Sequence, residues 1–226
     1  MQTDLLRNFS LFAELNDDEL MAIAAVAKPR KYGREDVVIH EDERGDVFCL
    51  IRQGKVKITM TSPEGKELIL STLGPGEFFG EMALLDDEPR SASVIATEKL
   101  EVLTIWRSDF LQILNENFAI TRKLLAEMSK RLRDASSRIE SLATMDVYGR
   151  LARYLLELAQ DEGREVQKGY IAVRRPTHQA IANTIGTSRE TVSRLLHDLM
   201  NQQLILSEGK TIYLKQDALR QFRQSL

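Results

Sequence analysis

One cysteine, one tryptophan, five prolines and three histidines in 226 residues set the first limits. A lone Cys49 forms no internal disulfide and excludes a four-cysteine metal or iron–sulfur site within one chain. It fits a reducing cytoplasm, which is the expected location. Long apolar runs are also missing. No stretch approaches ~18 consecutive apolar residues, so no membrane-spanning helix is expected. Met1 to Asn16 lacks the charged, apolar, then small layout of a secretory signal. There is no internal repeat and no low-complexity segment. His40, His178 and His197 have no metal-ligand spacing, and no Ser/His/Asp set falls in a strand–turn–helix context. An enzyme is therefore not expected.

The 43% hydrophobic content is too high for a disordered chain and sufficient for two ordinary domains. Charge is uneven along it. Residues 1–145 hold 19 basic and 25 acidic groups, a net of −6, whereas residues 146–226 hold 12 and 9, a net of +3. Only the second segment has the sign that contact with nucleic acid requires.

Three textures follow in order. Residues 1 to about 30 read as short helices, with Leu20, Ile23, Ala24 and Ala27 at helical spacing and Pro29 as the stop. From about 32 to 106 come short β segments, 37–39, 47–51, 56–60, 68–70, 93–95 and 102–105. Gly33, Gly45, Gly54, Pro63-Glu64-Gly65 and Gly74-Pro75-Gly76 punctuate them. Strands this short and frequent predict a sandwich or jelly roll. Asp109 to about Thr144 then reads as one long helix. Leu125, Met128, Leu132, Ala135, Ile139 and Leu142 alternate in steps of three and four along it, between charged flanks. Such a seam predicts a parallel coiled coil with a second copy, hence a homodimer through 109–145. Asp146 caps a fresh helix and marks a hinge. Beyond it, a strand at 170–173, helices at 177–184 and 188–200 and a hairpin at 204–214 have the order of a winged helix-turn-helix. The fold class is α+β, divided as 1–108, 109–145 and 146–226.

Two constellations carry chemistry. Gly80-Glu81-Met82-Ala83-Leu84-Leu85 leads to Arg90-Ser91-Ala92. Backbone N–H groups with a guanidinium and a hydroxyl make an anion cradle. Glu81 repels a plain phosphate but suits a ligand that also offers a sugar hydroxyl, as a nucleotide does. Thr177 to Leu196 reads as two crossed helices with Gly186 at the turn and Ser188 as a cap. On the second, Arg189 and Arg194 suit guanine edges and Glu190 a cytosine amine, with Ser193 exposed beside them. Thr177, Gln179 and Thr191 suit phosphates.

The first segment resembles the phosphate-binding cassette of cyclic-nucleotide-binding domains. Thr-Ser-Arg-Glu-Thr-Val-Ser-Arg with its following hairpin resembles the recognition helix and wing of the CRP/FNR (catabolite activator) family of bacterial transcription regulators. By that resemblance Glu81 holds the ribose 2′-hydroxyl, and Arg90 and Ser91 hold the cyclic phosphate. Amides near Gly80, Met82 and Ala83 assist. The implied function is a homodimeric regulator, with an activator's cast, controlled by a cyclic nucleotide. It reads an inverted TGTGA-like repeat in double-stranded DNA and works with RNA polymerase. Where cyclic-AMP-responsive members place a Thr-Ser pair against the base, this chain has Ala135-Ser136. Ser136 keeps one hydroxyl, and either Arg133 reads the base or the effector is another nucleotide, such as cyclic GMP or cyclic di-GMP. A ligand-independent regulator of the same family is the alternative. The oxygen- and carbon-monoxide-sensing branches need cysteine or haem ligands for which Cys49 and His40 are poorly placed. Trp106 and Tyr32 read as core or surface anchors.

Overall fold

The computed structural model describes residues 2–166 and 169–224. Met1, Gln167, Lys168, Ser225 and Leu226, which the expected domain limits include, lie outside them. The chain divides into two compact units, Met1–Arg133 and Asp134–Leu226.

The first unit opens with helices α1 (Gln2–Arg7) and α2 (Asp17–Val26), joined by a 3-10 turn at Ser10–Phe12. A reciprocal cap starts α2. The Asn16 side chain accepts from the Glu19 N–H and the Glu19 carboxylate accepts from the Asn16 N–H, both at 2.9 Å, which satisfies two otherwise orphaned donors. Eight strands follow: β1 (Lys28–Tyr32), β2 (Val37–Ile39), β3 (Val47–Gln53), β4 (Val56–Thr61), β5 (Glu67–Leu73), β6 (Phe78–Phe79), β7 (Ser93–Ala96) and β8 (Leu100–Trp106), with the single helical turn α3 (Met82–Leu85) between β6 and β7. They form two four-stranded antiparallel sheets, β1-β8-β3-β6 and β2-β7-β4-β5.

The two-residue period of a strand explains β3. Cys49 and Ile51 point into the core between the sheets, with Val56, Leu73, Phe79, Val94 and Val102. Phe48 and Leu50 point the other way, into a second core with Leu6, Phe12, Leu20, Phe110, Ile120 and Leu124. Phe48 stacks on Phe110 at 4.3 Å between ring centroids. Thus the helices before and after the sandwich cover one sheet's outer face.

Two expectations need correction. The helical stretch expected to about residue 30 ends at Val26, and Lys28–Tyr32, Pro29 included, is a strand that among the described residues pairs with β8 alone. Its charged, exposed residues give no alternation, and an edge position tolerates a proline that has no N–H to donate. The helix expected from Asp109 to Thr144 is two helices, α4 (Arg107–Glu116) and α5 (Phe118–Thr144). Asn117 separates them in extended conformation. Its Oδ1 accepts from the Ile120 N–H at 3.2 Å and its Nδ2 donates to Glu19 at 2.7 Å, so one side chain restarts the helix and pins it to α2.

The second unit contains the end of α5, then α6 (Val147–Glu162), β9 (Arg164–Val166), β10 (Tyr170–Arg174), α7 (His178–Ile185), α8 (Arg189–Asn201), β11 (Ile205–Glu208), β12 (Thr211–Lys215) and α9 (Gln216–Gln224). Its sheet has the order β11-β12-β10-β9. Leu151, Leu155, Ile181, Val192, Leu196, Leu199, Leu214 and Phe222 meet in one core. The fold is α+β: a β sandwich with flanking helices, a long helix, and a winged helix-turn-helix.

Candidate functional site

Gly80 sits between β6 and the single helical turn α3 with φ +85°. A side chain there would have to lie 2.9 Å from Arg90 Nη1 and 3.0 Å from the Val47 carbonyl oxygen. Only glycine satisfies both the left-handed backbone and the close approach. Arg90 crosses behind it, donating through Nη1 to the Gly80 carbonyl at 2.6 Å and through Nη2 to the Val47 carbonyl at 2.8 Å. The guanidinium thereby fixes the segment before Glu81 and keeps further N–H donors. Its burial lowers the Arg90 pKa from the ordinary value, with the acidic side chains of Asp46 and Glu81 opposing the shift.

Glu81 is 3% exposed, so its carboxylate has lost almost all its water. Burial pushes its pKa up, and Arg131 and its own backbone N–H oppose the rise. Arg131 of α5 donates through Nη1 to Glu81 Oε1 at 3.1 Å and through Nη2 to the Phe78 carbonyl at 2.7 Å. Its guanidinium lies 4.7 Å from the Phe78 ring centroid. The other carboxylate oxygen, Oε2, is buried with no hydrogen-bond partner within the described chain. Leaving a buried acceptor unmatched costs about 1–3 kcal/mol, and more for a charged group. A donor supplied from outside, such as a ligand hydroxyl, removes that cost.

The structure therefore brings Gly80, Glu81 and Arg90 together. Ala83 is buried, whereas Met82 and Ser91 are exposed, with the Ser91 hydroxyl 3.9 Å from Met82 Sδ. Arg133 and Ser136 are exposed on α5. In the sequence Arg131 carries no signal beyond being one of the charged residues that flank the seam. Two residues further on, Arg133 points to the far side of the helix, because two steps of 100° nearly reverse direction. Among the side groups considered earlier, Cys49 is buried and its thiol is pushed up to about 12, chiefly by burial. Tyr32 packs on the sandwich core, Trp106 is half-exposed and His40 is exposed.

In the second unit the helix-turn-helix is built by its caps. Thr177 caps α7 by accepting from the Ala180 N–H at 3.1 Å. Gly186 ends that helix in left-handed conformation, φ +68°, and its N–H bonds the Ala182 carbonyl. Ser188 caps α8 by accepting from the Thr191 N–H at 3.1 Å, with the two hydroxyls 3.0 Å apart. Glu190 is held below the usual carboxylate range by its backbone N–H and the Ser188 hydroxyl. Val192, Leu196 and Leu199 are buried at helical spacing, which leaves Arg189, Glu190, Ser193, Arg194 and His197 lining one open face. His197 joins this face because it follows Ser193 by four residues. Gln179 is exposed and donates to Asn183 at 2.7 Å. The wing is the β11–β12 hairpin, where Arg175 donates to the Ser207 hydroxyl at 3.1 Å.

Along α5, Phe118, Leu125, Leu132 and Ile139 recur every seven residues and are all exposed, Leu132 at 69%. Among the described residues no helix is long and apolar enough to cross a membrane.

Residues 29–117 match the model of the cyclic nucleotide-binding domain, and residues 149–222 match the Crp-like helix-turn-helix domain. The chain is 32% identical over 214 residues to the cyclic AMP receptor protein of Thermus thermophilus, covering 95% of this chain and 96% of the relative. It is 38% identical over 183 residues to the cAMP-activated global transcriptional regulator CRP of Escherichia coli, covering 80% and 87%. Among solved structures, the c-di-GMP responsive global regulator CLP of Xanthomonas campestris superposes with a TM-score of 0.77 at 25% identity, covering 88% of this chain and 99% of that one. A CooA variant from Carboxydothermus hydrogenoformans shares the fold, with a TM-score of 0.79 at 23% identity and coverage of 99% and 98%. A sandwich with a phosphate-type cassette, a long helix and a capped recognition helix with its wing meet in one chain, and the chain belongs to the CRP/FNR family of transcription regulators, with a cyclic-nucleotide-binding domain and a DNA-binding helix-turn-helix.

Proposed function

We propose that this chain is a homodimeric regulator whose DNA affinity is set by a cyclic nucleotide, cyclic AMP first. The observation that carries the reading is the buried, unmatched Glu81 Oε2 beside the Arg90 and Arg131 guanidiniums. That acceptor suits a ribose 2′-hydroxyl. The remaining Arg90 donors, the Ser91 hydroxyl and the amides of Gly80, Met82 and Ala83 suit a cyclic phosphate, and Ser136 suits the base, whereas Arg133 is turned away from the cassette. Arg131 ties the sugar-binding carboxylate directly to α5. Residues 1–108 serve as the nucleotide domain, 109–145 as the dimerisation helix and 146–226 as the DNA reader.

The exposed seven-residue stripe on α5 supports pairing with a second copy, since exposed large apolar side chains in register bury themselves best against their own likeness. Pairing places two α8 helices on an inverted repeat of TGTGA type. Arg189 and Arg194 read guanines, Glu190 reads a cytosine amine and Ser193 flanks them. Thr177, Gln179 and Thr191 hold phosphates, and Ser188 caps the reader. Cytoplasmic action together with RNA polymerase follows from this role. For regulation, the nucleotide must bind the DNA-competent arrangement more tightly than the idle one. A second reading is favoured by Ala135, which offers no hydroxyl to a base: the effector is cyclic di-GMP, as the name of the Xanthomonas relative has it for that protein.

Calorimetric titration of the full chain with cyclic AMP, cyclic GMP and cyclic di-GMP tests the reading. One of them binds, and Arg90→Ala weakens it by at least ~10-fold, the loss expected for a charge-assisted phosphate contact. Binding of none leaves a ligand-independent regulator as the correct description.

A further inference from the structure

The chain turns sharply at Met145-Asp146, between α5 and α6, where the sequence suggests a hinge. Within the second unit this turn is closed by a fork. Arg153, in the second turn of α6, reaches back to α5 and donates through Nη1 to the Ser141 hydroxyl and through Nη2 to the Ser137 hydroxyl, each at 2.5 Å. Its Nε faces Glu157 at 3.2 Å. Ser137 and Ser141 stand four residues apart, one above the other on a single helix face. A planar guanidinium that engages both fixes the separation of the two helices and their rotation about each other. Ser141 is 7% exposed on a stretch of helix that is otherwise largely solvated. A buried hydroxyl with a dedicated donor is costly to leave unmatched, so opening the turn carries a penalty. The Asp146 side chain accepts from the Gly149 N–H at 2.8 Å and holds the start of α6 in the same arrangement.

We propose that Arg153 is a positioning residue for DNA recognition. It locks the α5–α6 elbow so that α8 is presented at a fixed angle to the last turns of the dimerisation seam. This rests on the dimeric reading above. Two readers engage half-sites one helical turn, about 34–36 Å, apart. A loose elbow therefore lowers the effective concentration of the second reader and leaves the first unaffected.

The test compares the affinity of the full chain for an inverted-repeat duplex and for a duplex with one half-site. The expected result is that Arg153→Ala weakens inverted-repeat binding about tenfold and half-site binding less than about twofold. The double variant Ser137→Ala, Ser141→Ala does the same, and combining it with Arg153→Ala adds nothing further, as a shared interaction requires. Arg153→Lys, which keeps the charge and loses the fork, behaves like Arg153→Ala. Thermal melting identifies any variant that is unfolded, and the serine pair supplies the readout if Arg153→Ala is. Equal losses on both duplexes, no loss on the inverted repeat, or additive effects of the arginine and serine changes would overturn the proposal. A wild-type chain that binds both duplexes equally would overturn the dimeric reading and this proposal with it.

Discussion

Glu81 concentrates the chemistry of the first unit in one carboxylate. It is buried, half-paired by Arg131 and left with one unmatched oxygen. Because burial raises its pKa, the folded, nucleotide-free chain holds this proton more tightly than the unfolded chain does. Its contribution to stability is therefore largest at low pH and is lost as pH rises through the raised value. The difference in stability between wild type and Glu81→Gln, followed by chemical denaturation across pH, is expected to show that slope. The ligand's demand has the opposite sign, since an ionised carboxylate is the better acceptor for a sugar hydroxyl. Gly80 is as constrained. Gly80→Ala meets Arg90 and the Val47 carbonyl and a left-handed backbone cost of about 1–3 kcal/mol, so melting is expected to show a lowered midpoint and calorimetry a weakened nucleotide. The cassette was legible in sequence because Glu81, Arg90 and Gly80 are close neighbours along the chain. Arg131 was not, because its partner lies 50 residues away and only folding reveals which charged flank of the helix turns inward.

Elements were legible where their period was clean. The strands with apolar residues on alternate or on both faces, the capped helices α6 to α8 and the wing hairpin all stood out. The edge strand β1 did not, since its charged residues carry no alternation, and the break at Asn117 was hidden because helical spacing resumes after one residue. On α5 Phe118, Leu125, Leu132, Ile139 and Leu142 of the apolar stripe are exposed, while Met128 is partly buried against the core of the first unit. A charge at the middle of the stripe opposes pairing: Leu132→Asp, at a side chain 69% exposed in the single chain, is expected to halve the mass seen in sedimentation and to lower the melting midpoint by the stabilisation that pairing contributes. Helix α8 is tested by base preference. Arg189→Ala is expected to cost about 1–3 kcal/mol on the cognate duplex and to relax discrimination at one base pair, as loss of a bidentate guanine contact does. A uniform loss across all sequences would make Arg189 a phosphate contact instead.

At the scale of the whole molecule, an acidic nucleotide-binding segment precedes a basic DNA-reading one, and one continuous helix, α5, runs from residues of the first unit into the second. Regulation requires that the ligand bind the two global states unequally. A change in DNA affinity of ~10- to 100-fold corresponds to a coupling of about 1.4–2.8 kcal/mol, a size that one matched carboxylate oxygen and a few phosphate contacts can supply. The most direct measurement is fluorescence anisotropy of a labelled inverted-repeat duplex titrated with the chain, with and without saturating cyclic AMP, for wild type and Arg90→Ala. The nucleotide is expected to tighten wild-type binding at least tenfold and to leave Arg90→Ala at the nucleotide-free value. Equal affinity of the wild type for DNA with cyclic AMP, cyclic GMP, cyclic di-GMP and no nucleotide would contradict control by a nucleotide.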